Sequence, residues 1–159
     1  TVMQQRGWHI TDEQIREGLA SVRWPGRFDV RRTDPLFIID GGHNPQCIQA
    51  LVKNIQDYLA DRPLTILTGV LADKDYNCMY RNVEPYAKEF ITVTPGNPRA
   101  LNAHELAKYL SQFGKPVTAC DAVADGVRLA VDHAGKDGVV LCYGSLYMIG
   151  EIEAGLQKL

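Results

Sequence analysis

The chain has 159 residues, 45% of them hydrophobic and 23% charged, the size and composition of one compact globular domain. Its formal net charge is -2, and Lys and Arg are spread along the chain instead of forming a stripe, which argues against a nucleic-acid partner. No apolar stretch approaches the ~20 residues of a membrane-spanning helix, so no membrane segment is expected.

The opening residues TVMQQRGWHI show neither an initiator methionine nor a basic segment followed by an apolar one. No signal peptide is read there, and the start is expected to be internal to a longer protein. A helix opens at Thr11, with Gln14 completing a capping box and Ile10 placed to staple onto Ile15, and it ends before Trp24-Pro25-Gly26. Residues 1–23 therefore read as a lead-in helix or linker, and residues 24–159 as the domain proper.

Phe28–Arg32 suggests an antiparallel edge strand, joined through Thr33-Asp34-Pro35 to the apolar strand Leu36–Asp40. Pro45 suits the first turn of a helix whose apolar face is Ile48, Leu51, Val52, Ile55 and Leu59. Strand Thr65–Gly69 follows, then a weaker helix through Met79, Val83, Tyr86 and Ala87, then strand Phe90–Thr94. Leu106, Tyr109, Leu110 and Phe113 form another helical face, with Asn102 and Glu105 spaced as a capping box. Strand Val117–Cys120 leads to a helix through Val123, Val127, Ala130, Val131 and Ala134, with Asp121 at its start. Strand Val139–Tyr143 and a helix through Ile149, Ile152, Leu156 and Leu159, opened by Ser145, complete the chain. This alternation predicts an α/β fold: a Rossmann-like three-layer domain with a mostly parallel sheet of about six strands and helices on both faces.

Cys47, Cys78, Cys120 and Cys142 lie far apart with no C-x-x-C pair, so free thiols are expected, as in a cytoplasmic protein. In open parallel sheets, ligands bind at the carboxyl ends of the strands, and the unusual loops of this chain fall there. They are Asp40-Gly41-Gly42-His43-Asn44-Pro45, the segment from Gly69 to Asp75, Asn97-Pro98-Arg99 and Gly144-Ser145-Leu146-Tyr147. Asp40 is a candidate acceptor for ribose hydroxyls and His43 a donor to carboxylate or phosphate. Equally, Asp40 and Asn44 read as caps of the following turn and helix, with His43 a surface side chain. Arg27, held by the rigid Trp24-Pro25-Gly26 turn, suits phosphate recognition, or is a solvated arginine. The charged loop Asp73-Lys74-Asp75 offers reach to phosphate or magnesium, or a helix cap. Arg99 is a candidate carboxylate clamp, and Ser145 is first a cap and second a ligand donor. No G-x-x-x-x-G-K-[ST], G-x-G-x-x-G or G-x-S-x-G motif is present, so the domain does not by itself hold a triphosphate well.

Together, WPGR at 24–27, DGGHNP at 40–45, the Asp-Lys-Asp loop, NPRA at 97–100 and GSLYMIGE at 144–151 resemble the carboxyl-terminal domain of folylpolyglutamate synthase / dihydrofolate synthase, within the Mur ligase superfamily. The resemblance runs from Thr11 onward; that family usually has alanine where this chain has Gly42. It implies ATP-dependent activation of a pteroate or folate carboxylate to an acyl phosphate, attacked by the amine of L-glutamate. It also implies amino-terminal and central domains as partners, the central one carrying the phosphate loop and holding most of the Mg2+. On this resemblance Arg27 and Asp40 are ATP-binding, His43 and Ser145 line the glutamate site, Asn44, Lys74 and Arg99 are further candidates, and no metal ligand is assigned. Both Arg27 and Asp40 read as loop-edge groups, so replacing either is expected to leave folding intact. The rival readings are a stand-alone Rossmann-like nucleotide-binding module, the corresponding domain of another Mur-type ligase, and a hydrolase using Asp40 and His43, which lacks an evident nucleophile.

Overall fold

A computed structural model describes all 159 residues. Helices α1 (Val2–Gln5) and α2 (Asp12–Ser21) come first, and neither buries a residue. Strand β1 (Asp29–Thr33), strand β2 (Leu36–Asp40), helix α3 (Pro45–Tyr58), strand β3 (Leu64–Thr68) and helix α4 (Tyr76–Val83) follow. The chain continues through β4 (Ala87–Thr92), α5 (Ala103–Leu110), β5 (Val117–Ala119), α6 (Val123–Ala134), β6 (Val139–Tyr143) and α7 (Ile149–Leu156). The six strands form one sheet in the order β1-β2-β6-β3-β4-β5. β1 runs antiparallel to β2 and every other pairing is parallel, as the alternation of elements predicts.

The period of two along the strands sorts the core into two layers. Ile38, Ile66, Leu141 and Phe90 face α3, α4 and α5 through Ile48, Leu51, Tyr80 and Leu106. Phe37, Ile39, Leu67, Ile91, Val140 and Cys142 face α6 and α7 through Val123, Val127 and Ile152. β3 and β6 are buried along their whole length; β6 reads as a run without charged residues, and the two hydroxyls that β3 carries, on Thr65 and Thr68, are both hydrogen-bonded. The crossovers out of β2, β3 and β4 advance across the sheet and lay their helices on one face. The crossover through α6 runs back to insert β6 between β2 and β3, and a right-handed connection in that reverse direction lies on the other face. The loop after β6 therefore leaves for one face while its neighbours leave for the other, opening a crevice between them.

Several local expectations need correcting. The helix through Met79 does not reach Ala87: Pro85 disfavours α geometry at Glu84, the α-helix stops at Val83, a 3-10 turn covers Glu84–Tyr86, and Ala87 starts β4. Asp121 caps nothing: α6 starts after Ala122 without a side-chain cap, and the Asp121 carboxylate meets His104 Nε2 at 2.9 Å. Asn102 caps α5 through the His104 N–H, with no reciprocal bond from Glu105. The Thr11–Gln14 capping box is present as read. All four cysteines are free, and Cys142 is buried among apolar side chains, which pushes its thiol pKa far up.

At the opposite edge of the sheet from the crevice, Glu89 is buried on β4 and accepts from Thr65 Oγ1 at 3.0 Å, while His133 Nδ1 faces it at 2.7 Å. Burial pushes the carboxyl up, but the bonds from His133 and Thr65, with the nearby charges of His133 and Lys88, outweigh it and hold the group below its ordinary value of 4.5. A depressed carboxyl stabilises the fold above the unfolded-state value, and that contribution is lost as pH falls through the folded one. Urea melts from pH 7 to pH 3 are expected to show the chain losing stability mainly below about pH 4.5, and Glu89→Gln showing a shallower acid dependence.

Candidate functional site

The loops after β2, β3, β4 and β6 meet in the crevice. Gly144 N–H donates to the Gly42 carbonyl at 3.1 Å, Val93 N–H to Thr68 at 2.9 Å, and Leu101 N–H to Val70 at 2.9 Å, so backbone bonds alone tie the loops together. Beneath them, Thr68 Oγ1 donates to the Tyr143 carbonyl and accepts from the Tyr80 hydroxyl, both at 2.8 Å. Burial pushes the Tyr80 pKa upward, so this floor stays neutral.

Among these loops opens a cleft of about 440 Å³ lined by His43, Leu71, Lys74, Arg99, Ser145, Leu146 and Tyr147. Its volume falls within the roughly 300–1,000 Å³ of small-molecule sites. Four residues singled out on four separate loops, His43, Lys74, Arg99 and Ser145, thus converge on one cavity, and no carboxylate lines it. His43 Nδ1 donates to the Gly41 carbonyl at 2.8 Å, which fixes the ring and leaves Nε2 free. Lys74 makes no ion pair, whereas Arg99 pairs with Asp73 at 3.1 Å. Ser145 is buried and its Oγ accepts from Tyr147 N–H at 3.3 Å, capping a 3-10 turn over Leu146–Met148 ahead of α7. Asn44 lies outside the cleft: its Oδ1 accepts from Cys47 N–H at 2.9 Å and caps α3, with Pro45 in the first turn. Asp75 likewise caps α4.

A second, shallower depression of about 200 Å³ lies against α3 and is lined by Arg27, Phe28, Asp40, Gly42 and Cys47 among others. Asp40 does not project freely into the crevice, contrary to the expectation from the sequence. It is buried, Oδ2 accepts from Phe28 N–H at 2.9 Å, and Oδ1 accepts from Gly42 N–H at 2.7 Å. Gly41 N–H also donates to the Gly26 carbonyl at 2.7 Å. The carboxylate therefore clasps the Trp24–Arg27 loop to the loop after β2. Phe28 sits in the left-handed region at φ 46, a strained conformation for a side-chain-bearing residue, and the bond to Asp40 helps hold it there. The clasp delivers Arg27, exposed and free of any carboxylate, to the rim.

Gly41 lets the two depressions share a wall. A Cβ there would lie 2.0 Å from Leu146 Cδ2 and 2.5 Å from Arg27 Nη1, so both side chains rest on its bare Cα. An alanine at position 42 would bring its Cβ to 2.8 Å from Asp40 Oδ1, a side-chain atom that must shift slightly. Leu71, Leu146 and Tyr147 carry no individual role in the sequence reading, which names them only as members of the loops after β3 and β6, and Asp73, read there as a group reaching phosphate or magnesium or as a cap, pairs with Arg99 instead. The largest depression, about 780 Å³, lies at the amino-terminal ends of β3 and β4 beside Arg62, Pro85 and Lys115 and contains none of the predicted site residues.

A doubly wound sheet with a cation-lined cleft of small-molecule size at its switch point defines a ligand-binding domain of the α/β class. The chain belongs to the family described as Mur ligase, glutamate ligase domain, whose profile matches residues 26–146. It is similar to the folylpolyglutamate synthase of Lacticaseibacillus casei, at 39% identity over 62% of this chain and 23% of that protein. It is also similar to the dihydrofolate synthase/folylpolyglutamate synthase of Bacillus subtilis, at 29% identity over 94% of this chain and 34% of that protein. The chain thus spans about a third or less of the length of these relatives. Among solved structures, it resembles the Mycobacterium tuberculosis folylpolyglutamate synthase complexed with ADP and AMPPCP, with a TM-score of 0.82 and 27% identity over 98% of this chain and 37% of that one. It likewise resembles the bifunctional enzyme of Yersinia pestis complexed with AMPPNP and Mn, with a TM-score of 0.84 and 28% identity over 94% of this chain and 35% of that one.

Proposed function

We propose that the chain is the carboxyl-terminal domain of a cytoplasmic, ATP-dependent amide ligase that adds L-glutamate to dihydropteroate or folate. In this reading residues 1–23 lead in from a central domain, and residues 24–159 supply part of the ATP site and part of the glutamate site without being active alone. The observation that carries it is the single cleft in which His43, Lys74, Arg99 and Ser145 gather, one wall away from Arg27. Lys74, Arg99 and His43 suit the carboxylates of the incoming amino acid, and Ser145 offers a hydroxyl among them. Arg27 offers a cation to the nucleotide, where preorganised positive charge favours the developing anionic transition state. Asp40 contributes by holding the Arg27 loop in place. No group of three His, Cys, Asp or Glu side chains is positioned to hold a metal, and in this reading Mg2+ is held mainly by the central domain.

The reading predicts weak or undetectable ATP binding by the isolated chain in calorimetric titration, because it has no phosphate loop, and ATP-dependent glutamate ligation by the full-length protein. Micromolar ATP binding by the isolated chain together with no ligation by the full-length protein would favour a stand-alone nucleotide-binding module instead.

A further inference from the structure

Arg99 is held at both ends. Its own N–H donates to Asn97 Oδ1 at 2.9 Å, closing an Asx turn, and Ala72 N–H donates to its carbonyl at 2.8 Å. Next to it, Leu71 and Ala100 form an isolated antiparallel bridge, so the backbone of the loop after β4 is sewn to the loop after β3. At the far end of the side chain, Nη1 donates to Asp73 Oδ2 at 3.1 Å. This pair is a poor device for stability: the two side chains are 57% and 48% exposed, and exposed ion pairs contribute little. What the pair does fix is the direction of a long, flexible side chain that lines the cleft. It uses one of the guanidinium's five N–H donors and leaves the others for a ligand. Lys74, the residue after Asp73, lines the same cleft and makes no ion pair, so one short loop supplies a free cation and the anchor of a second.

We propose that Asp73 is a positioning residue that sets the Arg99 guanidinium at the rim of the cleft, so that Arg99 with Lys74 receives an amino acid whose side chain ends in a carboxylate. The inference rests on the amino-acid reading of the cleft given above. A guanidinium biased towards one position reads length as well as charge, because a side chain one methylene shorter must draw it away from Asp73 to meet it. Asp73 therefore acts on the choice between glutamate and aspartate, and not on the chemical step.

Two measurements test this. In the isolated chain, the heteronuclear NOE of the Arg99 side-chain Nε is expected to report an ordered group, and Asp73→Asn to make it mobile. In the full-length protein, Asp73→Asn is expected to raise the KM for glutamate about tenfold, with kcat and the KM for ATP within twofold, and to erode the preference for glutamate over aspartate by a similar factor. Asp73→Glu restores part of the loss, and Asp73→Asn adds nothing in an Arg99→Ala background. If Arg99→Ala raises the KM for glutamate while Asp73→Asn does not, or if the Arg99 Nε is equally ordered in both proteins, the positioning role is overturned. If Arg99→Ala also leaves that KM unchanged, the amino-acid reading of the cleft fails, and this proposal falls with it.

Discussion

Replacing Asp40 with alanine is expected to damage both the fold and the reaction, whereas replacing Arg27 is expected to damage only the reaction. Asp40 is buried and both of its carboxylate oxygens accept backbone N–H groups, from Phe28 and from Gly42. Hydrogen bonds to a charged group contribute roughly 1.5–3 kcal/mol each, so losing the pair should cost about 3 kcal/mol after partial relaxation, or roughly 6–12 °C in Tm for a domain of this size. Arg27 is exposed and pairs with no carboxylate, so Arg27→Ala should stay within about 0.5 kcal/mol of the parent. In the full-length protein, each change is expected to reduce ATP-dependent glutamate ligation about 10²-fold or more, on the order of 2.7 kcal/mol of barrier.

The two losses share a cause if Asp40 works by holding the loop that carries Arg27. The double variant should then ligate no more slowly than the worse single one, since a cycle between residues acting through one element is not additive. Thermal melts and initial rates of the four proteins decide this. Near-native stability of Asp40→Ala would show that the clasp is dispensable, and near-native turnover of both single variants would remove Arg27 and Asp40 from the site. The structure here corrects the expectation that both groups are loop-edge residues whose loss folding survives.

That correction shows which information the sequence carries. The central strands were legible because burial on both faces favours apolar residues: β2 and β6 coincide with the mostly apolar runs Leu36–Asp40 and Val139–Tyr143. Helical faces were legible for the same reason, and Pro45 and Asn44 marked the start of α3. The convergence of His43, Lys74, Arg99 and Ser145 followed from topology, since parallel strands put all their carboxyl-terminal loops at one edge. Which way a side chain points at that edge was not legible. Alternation along β2 puts Asp40 on the same face as Ile38, against α3, and only the fold brings the Phe28 amide, twelve positions away in the chain, to its Oδ2. The Asp73–Arg99 pair spans 26 positions and depends on the pairing of two loops that no local pattern announces. Lys88, His133 and Glu89 meet only because α6 folds back beneath β4.

Gly144→Ala is expected to be among the most destabilising single changes that leave the core side chains intact. Gly144 turns the chain from β6 into the Ser145 cap at φ 117, a conformation that side-chain-bearing residues rarely adopt. A Cβ there would also lie 2.5 Å from the Gly69 carbonyl oxygen and 3.0 Å from Thr68 Oγ1, and the first of these is backbone of the neighbouring strand end, which cannot rotate away. Strain and overpacking each cost of order 1–3 kcal/mol, so the sum is about 3 kcal/mol or more. Relief requires the loops after β3 and β6 to part, which would widen the cleft at Ser145. Gly150 is the matched control: it lies in α7 with open space where a Cβ would go, and Gly150→Ala should stabilise by roughly 0.5–1 kcal/mol. Urea melts of the three proteins with equal m-values would read these differences directly. A Gly144→Ala chain as stable as the parent would mean that the turn after β6 is not held as tightly as its distances require. The cleft itself would then be a looser assembly than its four stitched loops imply.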